Sequence, residues 1–139
     1  MIQESPYGLR VPLDIDFDKA VELARSALQE QGFGVLTTID VQDTLKKKLD
    51  RNFRRYVILG ACNPPLADRA LHAELEIGLL LPCNVIVYER DGGTSTVAAM
   101  APLPAMGIVK GNSELEAVAR EADERLRRAL ERVESAAGS

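Results

Sequence analysis

Three features of this sequence predict an α+β fold: a two-layer sandwich, with a mostly antiparallel sheet of about five strands, two main helices on one face and two short helical insertions. Apolar residues alternate or run together in short strand-like stretches at 7–13, 33–41, 56–62, 85–88 and 94–100, whereas 17–28 and 115–133 repeat at helical spacing. The stretches 85–88 and 94–100 flank Asp91-Gly92-Gly93, a tight turn that joins antiparallel neighbours. The core has to be aliphatic, because 46% of the residues are hydrophobic but only 4% are aromatic and none is Trp. A length of 139 residues supports one domain, 1–139, and is short for two.

In chain order, Leu9, Val11 and Leu13 share one face of the first strand. Asp14 or Asp16 then caps a helix carrying Phe17, Val21, Ala24 and Leu28 on one side, which Gly32 ends. A second strand over 33–41 is rich in β-branched residues. Asp43 is expected to cap the short basic segment that follows, where Lys46, Lys47, Lys48, Arg51, Arg54 and Arg55 fall within ten positions. That segment reads as a solvated helix face or as an anion-binding rim. Tyr56–Cys62 is apolar on both faces and should lie centrally in the sheet.

Asn63 caps the next, short helix, with Pro64 at its first position and Leu66, Ala70 and Leu71 as its apolar stripe. Gly78 and Pro82 close that region. After the hairpin, the link 101–112 holds two prolines and two of the glycines, so no single regular element spans it. Ser113 and Glu116 form a capping box ahead of a long helix with its stripe on Leu115, Val118, Ala122, Leu126, Leu130 and Val133. Residues 135–139 are expected to fray.

A net charge of −4 and a pI near 5.1 speak against general nucleic-acid binding. No apolar run reaches the ~20 residues of a membrane-spanning helix, and MIQESPYGLR lacks the apolar segment of a signal peptide. The expectation is a cytoplasmic protein that uses neither nucleic acid nor membrane as partner. In that reducing setting its two cysteines are free thiols.

The candidate chemistry lies between Leu59 and Glu89. Cys62 ends a strand beside the start of the helix opened by Asn63 and Pro64, where the helix dipole favours a thiolate. Cys83 and Asn84 follow Pro82 at the start of the next strand. If the two strands are neighbours, both thiols come to one end of the sheet and line whatever pocket the domain has. The pair reads either as small buried hydrophobes or as a ligand, redox or soft-metal site. With one His in the chain, a four-ligand zinc site would need carboxylates too. His72 is four residues from Asp68 and from Glu76, a spacing that gives a shared helix face and a candidate general base, or else an exposed histidine among surface acids.

The runs Leu59-Gly60-Ala61-Cys62-Asn63-Pro64, Ala70-Leu71, Leu81-Pro82-Cys83-Asn84-Val85 and Val87-Tyr88-Glu89, with a terminal helix after Asn112, resemble the bacterial and archaeal family known as domain of unknown function 302. The resemblance covers nearly the whole chain. It implies a compact α+β domain similar to TATA-binding-protein-like folds, with a helix between the first two strands and a closing C-terminal helix, and it implies homodimers. It carries over no catalytic residue.

Three functions compete. The first is a homodimeric domain binding a small ligand or soft metal at Cys62, Asn63, Cys83 and Asn84 with His72 nearby. The second is a structural or interaction module without a ligand. The third is an enzyme using His72, Glu76 or Glu89 as acid or base in a cleft beside the loop 102–111.

Overall fold

A computed structural model describes residues 1–138. Its elements are β1 (Gln3–Glu4), β2 (Gly8–Leu13), α1 (Phe17–Glu30), β3 (Gly34–Asp40), α2 (Val41–Leu49), β4 (Tyr56–Cys62), α3 (Pro64–Ala73), a 3₁₀ segment (Leu75–Leu80), β5 (Cys83–Glu89), β6 (Ser95–Met100), α4 (Pro102–Met106) and α5 (Ser113–Ala137). The strands form one sheet in the order β1-β2-β6-β5-β4-β3, every pair antiparallel. The sixth strand, β1, is too short to leave a pattern in the sequence. Side chains hold it, with Arg10 donating to Gln3 at 3.0 Å and Arg127 to Glu4 at 2.8 Å.

Alternation decides the buried face. Leu9, Val11 and Leu13 of β2, Val57, Leu59 and Ala61 of β4, Val85 and Val87 of β5, and Val97 and Ala99 of β6 pack against α1 and the C-terminal half of α5. There they meet Ala20, Ala24, Leu28, Leu126, Leu130 and Val133. The N-terminal half of α5 enters a second cluster, in which Leu115, Val118, Ala119 and Ala122 meet Leu66 and Ala70 of α3, Ile77 and Met106. One helix thus belongs to two cores. Among the described residues, no helix comparable to α1 and α5 covers the opposite face of the sheet. Ile58, Ile86, Ala98 and Met100 are half-buried there, and the rings of Tyr56 and Tyr88 stack at 5.6 Å.

Three caps correct or refine the reading from sequence. Asp16 caps α1, its Oδ1 accepting the Lys19 N–H at 2.8 Å. Asp40, not Asp43, caps α2. Asp40 is extended and its carboxylate receives the Asp43 N–H at 2.9 Å, so Asp43 lies inside the first turn. Asn112, not Ser113, caps α5 by the same geometry, accepting from the Leu115 N–H at 3.0 Å. The Asn112 side chain also donates to the Ala73 carbonyl at 2.9 Å, tying α5 to the end of α3. Helix α5 continues through Ala137, into the stretch 135–139 expected to fray; Ser139 lies outside the described residues.

Strand β4 is internal but not central, since only the edge strand β3 lies beyond it. Helix α2 has no buried residue, and its Lys46 and Lys47 pair with Asp50 and Asp43. Arg55 leaves the basic run altogether, gripping Asp18 through both terminal nitrogens at 2.8 and 3.1 Å and lying 4.4 Å over the Phe17 ring. Among the described residues no helix is long and apolar enough to cross a membrane.

Candidate functional site

The end of the sheet where β4 stops and β5 starts is also where the two hydrophobic clusters meet. Ala61 pairs with Cys83 and Gly34 with Cys62. Alternation puts Cys83 on the helix-covered face beside Ala61 and turns Cys62, one residue on, toward the other face, where it is half-buried. Asn63 follows in extended conformation and caps α3, its Oδ1 accepting the Leu66 N–H at 3.3 Å. Its Nδ2 donates to the Gln31 carbonyl at 3.3 Å, so the same side chain holds α3 against the turn that ends α1. That turn needs Gly32, with φ +83° and the Asn63 amide 3.0 Å from where a Cβ would sit.

Between these elements lies a cavity of about 410 Å³. Its deep wall comprises Phe33, Ala61, Cys83, Leu66, Ala70, Met106, Val118 and Ala122, all buried. Its outer wall includes Cys62, Pro82, Leu71, Leu36 and Thr37. Apart from the cysteines, none of the lining residues is ionisable.

The outer wall depends on an irregularity in β3. Val35 faces Ala61 and Thr37 faces Gly60, which leaves Leu36 as an extra residue with no opposite number on β4. The bulge turns Leu36 outward, 68% exposed, and brings Thr37 over Gly60. The adjacent apolar pair Val35-Leu36, a break in strand alternation, is the sequence signal that points to this bulge. Nothing comparable points to Met106, which reaches the cavity only because 102–106 folds as a short helix on α5.

The two thiols differ. Burial, and then the neighbouring Cys62, pushes the Cys83 thiol up from 9.0 to about 11, so it is protonated at neutral pH. Neither cysteine is in a disulfide, and they approach the cavity from the two faces of the sheet rather than side by side. Among the described residues no group of three or more His, Cys, Asp or Glu could hold a metal ion.

The other sequence candidates do not converge here. Asn84 pairs with Gly60, so it points to the face opposite Cys83 and is exposed. His72 is exposed on α3, its Nδ1 2.8 Å from the Asp68 carbonyl and 3.3 Å from the Asp68 carboxylate. Glu76 does not share that face, because α3 ends at Ala73, Glu74 is extended and Glu76 belongs to the 3₁₀ segment. Glu89 lies at the far end of β5.

The profile of the family described as Domain of unknown function DUF302 matches residues 9–133. The chain belongs to DUF302. A crystal structure of an uncharacterized conserved protein DUF302 from Bacillus stearothermophilus is similar, with a TM-score of 0.84 and 29% identity over 92% of this chain and 98% of that one. None of the curated proteins matches the chain. In this DUF302 domain, the residues 59–64 and 81–85 that carried the resemblance are the ones that bring β4 and β5 together at the cavity.

Proposed function

We propose that this DUF302 domain binds a small apolar molecule in the cavity where its two hydrophobic clusters meet, and that it works as a homodimer. The observation that carries the reading is a cavity of about 410 Å³ without a charged wall, within the ~300–1,000 Å³ of small-molecule sites. Cys62, Asn63 and Cys83 contribute to it as packing, capping and wall groups rather than as metal ligands. A reducing cytoplasmic setting, in which both thiols stay free, fits this reading.

The neutral fluorophore N-phenyl-1-naphthylamine tests it. Blue-shifted, saturable fluorescence is expected with the unmodified chain and its loss with Ala70→Leu, which fills the cavity. A signal unchanged by that substitution would remove the cavity from consideration.

The dimer rests on the uncovered face of the sheet. Ile58, Ile86, Ala98 and Met100 gather there, with Ile39 48% exposed at the edge. Sedimentation velocity should give about twice the 15.2 kDa chain mass at micromolar concentration, falling to one chain mass in Ile86→Lys. A monomer at that concentration would exclude it.

The alternative of an interaction module without a ligand is favoured by Leu75 and Leu79 on the 3₁₀ segment, 82% and 85% exposed. It predicts no saturable fluorophore binding. The acid-base alternative has no converging group to support it.

A further inference from the structure

We infer that the cavity takes an uncharged, chiefly aliphatic molecule with a single polar head, its body lying toward Met106 and Val118 and its head held at Thr37 and Cys62. The inference rests on the ligand-binding reading above and adds orientation and chemical class to it.

The orientation follows from two gradients that run together. Exposure rises from Val118 at 1% and Met106 at 4% to Leu36 at 68%, which separates floor from mouth. Polarity rises in the same direction: the deep wall offers only weak sulfur groups, the Met106 thioether and the buried Cys83 thiol, whereas Thr37 brings a hydroxyl to the outer wall beside the Cys62 thiol. The Asn63 side chain has its oxygen engaged by the Leu66 N–H and one N–H of its amide by the Gln31 carbonyl. The fold already uses that amide. A ligand's one polar group is therefore served at the mouth, where the bulge at Leu36 delivers Thr37 over Gly60.

The chemical class follows from charge and volume. No Asp, Glu, Lys, Arg or His lines the cavity, so a carboxylate or ammonium head drawn against Thr37 and Cys62 would give up part of its hydration and gain no counter-charge in return. An alcohol, aldehyde or ketone meets no such penalty, and a hydroxyl can both give and take a hydrogen bond at Thr37. At ~30 Å³ per water-sized atom, about 410 Å³ has room for roughly a dozen non-hydrogen atoms. A medium-chain primary alcohol is the simplest molecule of that description.

Isothermal titration of the full chain at pH 7 with 1-octanol, octanoate and octylamine tests the inference, repeated with Thr37→Val and Thr37→Ser. The expected result is that 1-octanol binds, that both charged analogues bind more than ~10-fold more weakly, that Thr37→Val weakens 1-octanol several-fold, and that Thr37→Ser restores it. Octanoate or octylamine binding as tightly as 1-octanol, or Thr37→Val leaving 1-octanol unchanged, would overturn the inference while the ligand-binding reading stands. Binding by none of the three, together with absence of fluorophore binding, would overturn both. Thermal melts of the two variants, expected to match the parent because Thr37 is an exposed edge-strand residue, separate a lost contact from a lost fold.

Discussion

Thr37 stands directly over Gly60 across the β3–β4 ladder: a methyl group built on Gly60 would lie 2.2 Å from Thr37 Oγ1 and 3.0 Å from Pro82 Cγ. The missing side chain is what lets the strand on one side and the proline on the other close over β4 at the mouth of the cavity. Gly60→Ala should therefore destabilise the domain by about 1–3 kcal/mol through overpacking, measured by urea unfolding. Adding Thr37→Ala removes the closest clash and should recover part of that loss in a double-mutant cycle. Strict additivity would mean that the two residues do not compete for the same space.

Cys83 makes stability depend on pH in a defined window. Its folded thiol titrates at about 11 against 9.0 for an unburied one, so the folded chain holds a proton that the unfolded chain releases first. The contribution is complete below pH 9, is lost as pH rises toward 11, and amounts to on the order of 2–3 kcal/mol at ~1.4 kcal/mol per pH unit. Between pH 7.5 and 10.5 the urea midpoint should fall more for the parent than for Cys83→Ala. Equal falls would mean that this thiol is not held protonated by burial.

Asn63 joins α3 to the end of α1 through one amide, so its replacement should be felt beyond α3. Asn63→Ala loses the cap and the bond to Gln31 together, and about 1–2 kcal/mol of stability is expected to go with them. Asn63→Asp retains a capping acceptor but no donor for the Gln31 carbonyl, and guanidinium unfolding should rank it between the parent and the alanine variant.

The hairpin turn isolates a purely conformational effect. Gly92 and Gly93 have φ of +91° and +85°, and a Cβ at either would meet nothing within 4 Å. Replacing both by Val should cost ~1 kcal/mol or more from backbone strain alone, with the calorimetric melting temperature as the measure. An unchanged melting temperature would mean that the turn relaxes at no cost.

Period and turn chemistry made most of the layer architecture legible. The strand Tyr56–Cys62, the cap and proline opening α3 and the hairpin at Asp91-Gly92-Gly93 are local patterns, each complete within a few residues. Caps chosen from adjacent polar residues were less secure. Asp40 and Asp43, or Asn112 and Ser113, are both chemically competent, and the tertiary position of the preceding strand or link decides which one is extended. At the candidate site, Cys62, Asn63 and Cys83 were readable because two strand ends flank one short helix. Thr37 and Met106 were not, since a bulge that only the adjacent pair Val35-Leu36 signals and the short helix Pro102–Met106 bring them there. His72 and Glu76 misled because i,i+4 spacing implies a shared face only on an unbroken helix, and this one stops at Ala73.

Because the 25 residues of α5 are divided between two clusters, a rod about 37 Å long at ~1.5 Å per residue, its amide protons should not exchange at one rate. The segment 126–133 is clamped by the sheet and α1, and its amides are expected to exchange only through global unfolding. The segment 115–122 is clamped by α3, α4 and the 3₁₀ segment, each short, and can open as a local unit while the sheet stays intact. Such a breathing motion would lift one wall of the cavity on a timescale set by helix fraying rather than by collapse of the domain, giving a guest a route in and out that no static opening has to provide.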